Sequence, residues 1–322
     1  MKLGVLTNLF ADTDFEEAVK LFSTLGIESL EIGCGGYPGN AHCDPKKLLS
    51  NDSALKAWLA VIEKYGMDIS ALSVHGNPVH PDKSVAEAFH RDFENTVLLA
   101  ERIGVDTVVT FSGCPGGSPE DKTPNWVTCP WPNDFGAILD YQWNEVLIPY
   151  WKKAGAFAKA HGVTKIAFEM HPGFCVYNPA TLLKLRAAVG DIIGANFDPS
   201  HLIWQGIDPV AAIRELKGAI YHFHAKDTKV DKYNVATNGV LDCKSYADEA
   251  NRSWIFRAVG YGNGVEYWRD IASALRLAGY DKVMSIEHED SLMTPLEGLT
   301  KAIQTLEEVI IRTEKPGQLG WV

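Results

Sequence analysis

The chain has 322 residues, 46% of them hydrophobic, enough to bury the core of one large domain or two ordinary ones. A formal net charge of −11 argues against a surface built for nucleic acid or anionic membrane, which needs clustered Lys and Arg, and favours a small polar substrate. Six cysteines without a C-x-x-C pair argue against a thiolate zinc site or a disulfide framework and for reduced thiols.

The first residues, "MKLGVLTNLF", are strand-like and run directly into acidic helix-forming sequence, without the charged, long apolar and small-residue regions of a secretory leader. No apolar run reaches membrane-spanning length, so a soluble, cytoplasmic protein is expected. Short runs rich in Val, Ile and Phe then alternate with segments of helical period. Strands are predicted at 2–7, 28–33, 68–75, 105–111, 163–169, 192–198, 218–224 and 282–287. Helices are predicted at roughly 14–25, 51–66, 84–103, 141–161, 179–189, 207–217, 265–278 and 295–312. Asp14 before "FEEAVKLF" and Asn178 before "PATLLKL" are good helix caps, because a side-chain oxygen there can accept a free backbone N–H.

Strand–helix units repeated eight times predict an α/β fold of the (β/α)8 TIM-barrel type, as a single domain over 1–322. The alternative is an open doubly wound sheet, but the first βα turn, "LTNLFADTDF", lacks the glycines of a dinucleotide fingerprint. "GYGNG" at 260–264 reads as a loop, and "GCPGG" at 113–117 lacks the helix start of a phosphate cradle. Two connections, 112–140 after the fourth strand and 226–263 after the seventh, are too long for simple βα loops. They carry Trp126, Trp131 and Phe135, and Tyr233, Trp254 and Arg257. In a barrel both emerge at the C-terminal mouth, as active-site loops or as a subunit contact.

The strand ends supply the chemistry. The fifth strand closes on Glu169, the sixth on Asp198, the seventh on His224 and the eighth on Glu287. Residues two apart share a face, so Ala167, Asn196, His222 and Ser285 point inward with them, while Phe168, Phe197, Tyr221, Phe223, Met284 and Ile286 point to the helices. Each acid alone could be a helix cap or an ion-pair partner. Three carboxylates meeting in a barrel mouth resist joint ionisation unless a cation compensates them. Two Glu, one Asp and one His suit Mn²⁺ first, then Mg²⁺ or Co²⁺, with Zn²⁺ also compatible.

The segments "FEMHP" (168–172), "NFDPSH" (196–201), "HAKD" (224–227) and "SIEHED" (285–290) resemble the sugar phosphate isomerase/epimerase superfamily of xylose-isomerase-like TIM barrels. That resemblance implies metal ligands at Glu169, Asp198, His224 and Glu287, a histidine beside the metal or substrate at His201, and, loosely, a substrate-contacting arginine at Arg257. "HGNPVHP" (75–81) and the tryptophan-rich insertion look similar to the catalytic subunits of bacterial C-glycoside deglycosidases, which pair with a small second subunit. The implied partners are thus a sugar or glycoside and either a second copy of the chain or a small second subunit.

On this basis Glu169 and Glu287 are the expected acid/base pair, removing and returning a proton beside a sugar carbonyl through an enediolate that a bound metal ion stabilises. His75 is an alternative base for a lyase, while His171, His201, Arg257, Lys226 and Trp131 are expected to contact substrate. Asp227 is a candidate support for a ligand, and Glu31 and Asn8 reach the site or simply fill the barrel. Reprotonation gives isomerisation or epimerisation; loss of a β-substituent gives a dehydratase or a lyase of keto-glycosides. A non-catalytic sugar-binding subunit would have lost the four ligand-type residues, and all are present.

Overall fold

The computed structural model describes residues 1–313. Eight parallel strands close a barrel: β1 (Lys2–Leu6), β2 (Ser29–Gly33), β3 (Asp68–Ser73), β4 (Thr107–Thr110), β5 (Lys165–Glu169), β6 (Ile193–Phe197), β7 (Ile220–Ala225) and β10 (Val283–Ile286). β10 pairs with both β7 and β1, which completes the ring. The strands β8 (Asp227–Val230) and β9 (Trp254–Arg257) pair antiparallel inside the second long connection, where the sequence predicts only a loop.

Outside the strands run α1 (Phe15–Thr24), α2 (Pro45–Ser50), α3 (Asp52–Lys64), α4 (Lys83–Ile103), α5 (Asn133–Asp140) and α6 (Ile148–Ala160). They are followed by α7 (Pro179–Val189), α8 (Pro199–Ile203), α9 (Pro209–Glu215), α10 (Lys232–Asn238), α11 (Val265–Leu277) and α12 (Pro295–Val309). The expected caps form: Asp14 accepts the N–H of Glu16 at 2.9 Å, and Asn178 makes a reciprocal box with Thr181. The helix expected from 141 begins at Asn133 instead and passes through a wide π turn at Tyr141–Leu147. The turn ends beside Pro149, which has no N–H to donate to residue 145, so the ladder changes register there.

The alternation of side chains sorts the core into two layers. Ile166, Phe168, Ile193, Phe197, Phe223, Met284 and Ile286 are buried among the helices, with the Phe168 ring edge-on to Trp151 at 4.5 Å. Ala71, Val109 and Ala167 make a thin inner layer. One expectation fails: Tyr221 does not face the helices. The register between β6 and β7 slips at this residue, so Tyr221 is an extra residue in β7 and packs against the inner layer. Its ring covers Gly194, where any Cβ would collide with it, and its hydroxyl meets the Asp191 carbonyl and Arg186 at the lower end of the barrel. A similar slip in β3 turns the Ser70 hydroxyl inward to His222 at 3.2 Å.

Candidate metal centre

The four ligand-type residues meet at the C-terminal mouth, and each offers an atom within 4.8 Å of the others. Glu169 ends β5 beside Asn196. Asp198 follows β6 and also caps α8, but the cap uses only Oδ1, which accepts the Ser200 N–H at 2.8 Å. Oδ2 stays buried without a hydrogen bond, although His201 Nε2 is 3.3 Å away and Lys226 Nζ 3.1 Å away. His224 Nδ1 lies 3.2 Å from Glu169 Oε2 and 3.0 Å from Glu287 Oε2, and it too has no well-directed hydrogen bond. Two buried ligand-type atoms without a well-directed hydrogen bond, facing one centre beside two further carboxylates, are a set a divalent cation can engage, so the residues present fit such an ion.

The electrostatics point the same way. Burial opposes ionisation of Glu169, but His201, His224 and His75 around it hold its carboxyl well below the ordinary value. Burial likewise works against Glu287, and the Lys226 ammonium still brings it down to about 2. With those two ionised, burial and the adjacent negative charges push Asp198 up to about 7 despite Lys226. The trio therefore retains a proton where it lacks positive charge. Lys226 is buried itself and held charged by Asp198, Glu287 and Glu289, with Nζ 2.8 Å from Glu287 Oε2 and 3.0 Å from Glu289 Oε2.

Of the other residues expected here, His75, His171, His201 and Lys226 do assemble around the four. His75 Nε2 is 3.0 Å from Glu169 Oε2, and His201 Nε2 is 2.9 Å from Glu169 Oε1. The His171 ring lies on His201 with centroids 4.0 Å apart, and burial lowers the basicity of both, which keeps them neutral. Two residues do not join. Trp131 is 74% exposed at the tip of the first long connection, before α5. Arg257, on β9, is turned to Asp290, its Nε 2.8 Å from Oδ2. Asp227 supports no ligand either: its carboxylate accepts the N–H groups of Gly260, Gly262, Asn263 and Trp268 and so anchors the GYGNG loop. Gly262 has to be glycine for that approach, since a Cβ would strike the Thr228 carbonyl. Two amides of "GCPGG" are occupied as well, Cys114 N–H by Asn77 and Gly117 N–H by Asp121.

Other tryptophans than Trp131 lie beside the centre. Trp126, Trp204, Tyr246 and Trp254 line a cavity of about 340 Å³ whose inner edge is His171 and His201. Trp204 and Trp254 stack at 4.5 Å. On the other side of Lys226, Asn8, Glu287, Glu289 and Ser291 line a polar cavity of about 400 Å³. The signal for Trp204 was present in "DPSHLIW", one helical turn past His201, but nothing in the sequence put β9 opposite it.

The closed parallel barrel agrees with the family described as xylose isomerase-like TIM barrel, which matches residues 19–309. The chain belongs to that family. It is 41% identical over 313 residues to the uncharacterized protein YfiH of Bacillus subtilis (strain 168), covering 96% of this chain and 99% of that one. It is 23% identical over 309 residues to an inosose dehydratase of Geobacillus thermodenitrificans, covering 94% and 92%. Among solved structures, the IOLI protein with a bound zinc atom superposes with a TM-score of 0.66 at 18% identity, covering 96% and 98%. A D-psicose 3-epimerase solved with D-fructose gives 0.63 at 13% identity over the same shares. Among the described residues, no helix is long and apolar enough to cross a membrane.

Proposed function

We propose that Glu169, Asp198, His224 and Glu287 hold one divalent cation, Mn²⁺ before Mg²⁺, Co²⁺ or Zn²⁺, and that the protein is a sugar isomerase or epimerase acting on the carbon next to a carbonyl. The observation that carries this is the convergence of four donor atoms within 4.8 Å, two of them buried and unpartnered. A bound dication supplies Lewis-acid polarisation of a carbonyl and its neighbouring hydroxyl.

The protein's own groups do the rest. Glu169 is ionised and braced on both oxygens, by His201 at 2.9 Å and His75 at 3.0 Å, so it is fixed in direction and ready to accept a proton. Glu287 borders the polar cavity; ionised at rest, it can pass on to another side of the substrate a proton drawn from solvent there, while Glu169 gives up to solvent the one it accepted. The two carboxylates thus divide removal and delivery. Neutral His171 and His201 orient substrate hydroxyls, and the Lys226 ammonium holds an oxygen that becomes negative. Arg257 and Trp131 take no part in this reading.

A second reading, a lyase that expels a β-substituent from a keto-glycoside or an inosose-type substrate, is favoured by the aromatic cavity: an aglycone ring fits against Trp126 and Tyr246 while the sugar lies by the carboxylates. His75 is the base in that case. The exposed Trp131 then belongs to a contact with a second copy of the chain or a small second subunit. The test is turnover by the metal-loaded protein of free ketoses and of 3-keto glycosides, beside Glu169→Gln. Ketose interconversion abolished by Glu169→Gln supports the first reading, and aglycone release without it supports the second. Full activity of the variant refutes both.

A further inference from the structure

Beneath the four side chains lies a buried acid that this chemistry does not use. Glu31, in β2, is wholly buried. A buried carboxylate is costly unless it is fully hydrogen-bonded. Glu31 is: the Ser73 hydroxyl donates to Oε1, the Ser285 hydroxyl donates to Oε2 at 2.7 Å, and His224 Nε2 lies 2.9 Å from both oxygens. These partners come from β3, β10 and β7, so the acid is clamped from three strands.

The consequence concerns His224. An ionised carboxylate only accepts, so the ring nitrogen midway between its oxygens has to carry the hydrogen. In a neutral imidazole that leaves Nδ1, on the opposite side of the ring, with its lone pair. Nδ1 is the atom facing Glu169 and Glu287 at 3.2 and 3.0 Å. Left to themselves, those two carboxylates favour the other tautomer, with hydrogen on Nδ1 and no lone pair for a cation. Two sets of acids compete for one proton position, and Glu31 is the one held in place by serines.

We propose that Glu31 is a positioning residue: it holds the hydrogen of His224 on Nε2 and so makes Nδ1 a ligand atom. The inference rests on the metal-centre reading above. Carboxylates behind ligand histidines raise the donor strength of the free nitrogen and fix the ring, and their removal typically lowers metal affinity by about 10–100-fold.

The test uses the full-length protein labelled with ¹⁵N-histidine and loaded with diamagnetic Mg²⁺ or Zn²⁺. The long-range ¹H–¹⁵N spectrum should contain a histidine with hydrogen on Nε2 and a metal-shifted Nδ1, absent from His224→Asn. Glu31→Gln should weaken Mn²⁺ binding by about 10–100-fold in calorimetry and release the tautomer preference. A purely structural role would lower the thermal midpoint but leave the tautomer as it was. If Glu31→Gln does not fold, Ser73→Ala with Ser285→Ala loosens the clamp while keeping the charge and should weaken binding by a smaller factor. Hydrogen on Nδ1 in the loaded wild type overturns the inference, as does unchanged affinity in the variants. No Mn²⁺ uptake by the wild type would overturn the metal-centre reading and this inference together, whereas normal uptake with either of those results overturns this inference alone.

Discussion

Lys226→Met removes the ammonium wedged between Asp198, Glu287 and Glu289 while nearly preserving side-chain length. Breaking a buried charge network by deleting one partner costs about 3–5 kcal/mol, because the remaining charges stay buried and unpaired. For a chain of this size that corresponds to a fall of about 6–10 °C in thermal midpoint, at about 2 °C per kcal/mol. The loss depends on pH and on metal. At about pH 6 Asp198, lifted by burial and its carboxylate neighbours to about 7, already carries a proton, so less charge is stranded. A saturating divalent cation neutralises the same oxygens, so the loaded variant should melt close to the loaded wild type. Calorimetric scans with chelator and with Mn²⁺, at about pH 6 and about pH 8, read all four corners. A metal-free variant as stable as wild type at the higher pH, or a loss that Mn²⁺ leaves untouched, would refute the argument.

The same proton on Asp198 has to leave when a cation binds. Mn²⁺ affinity should therefore rise by at least about tenfold per pH unit up to about pH 7 and less steeply above it, where only His224, also held protonated by its carboxylate neighbours, still has a proton to release, measured by titration calorimetry in buffers of different ionisation enthalpy. An affinity independent of pH below 7 would contradict this. Trp126→Ala or Tyr246→Ala opens the aromatic cavity; the lyase reading expects KM for an aromatic keto-glycoside to rise about tenfold with ketose kinetics unchanged. Equal effects on both substrates would separate the cavity from aglycone binding. Phe168→Ala, in the helix-facing layer against Trp151, should cost about 3–5 kcal/mol in denaturant unfolding, and a loss below about 1 kcal/mol would show that the layer is not packed as described.

The barrel was legible because its signal is local. Strand runs of β-branched and aromatic residues, separated by helical periods, predicted all eight barrel strands to within a few residues of their ends. Glu169, Asp198, His224 and Glu287 could be aligned because period-two alternation carries facing information along each strand. Tyr221 escaped for the converse reason: a single extra residue in β7 reverses the parity, and no local pattern marks this bulge, whose tyrosine ring lies over Gly194 of the neighbouring strand. The full burial of Lys226 had no local signal, because it depends on Asp198, Glu287 and Glu289, which are distant in the chain. Asp227 and Arg257 turned away from the centre for the same kind of reason: the backbone N–H groups of 260–263 and the Asp290 carboxylate, which claim them, are tertiary partners.

The account depends most on the four strand ends acting as one cation site. Protein stripped with chelator, equilibrated with Mn²⁺, desalted and analysed by elemental mass spectrometry tests this directly, beside Asp198→Ala and Glu169→Gln variants checked for folding by circular dichroism. The account predicts one tightly held divalent ion per chain in the wild type and loss of most of it in both variants. No retained ion, or the same retention after either substitution, would contradict it.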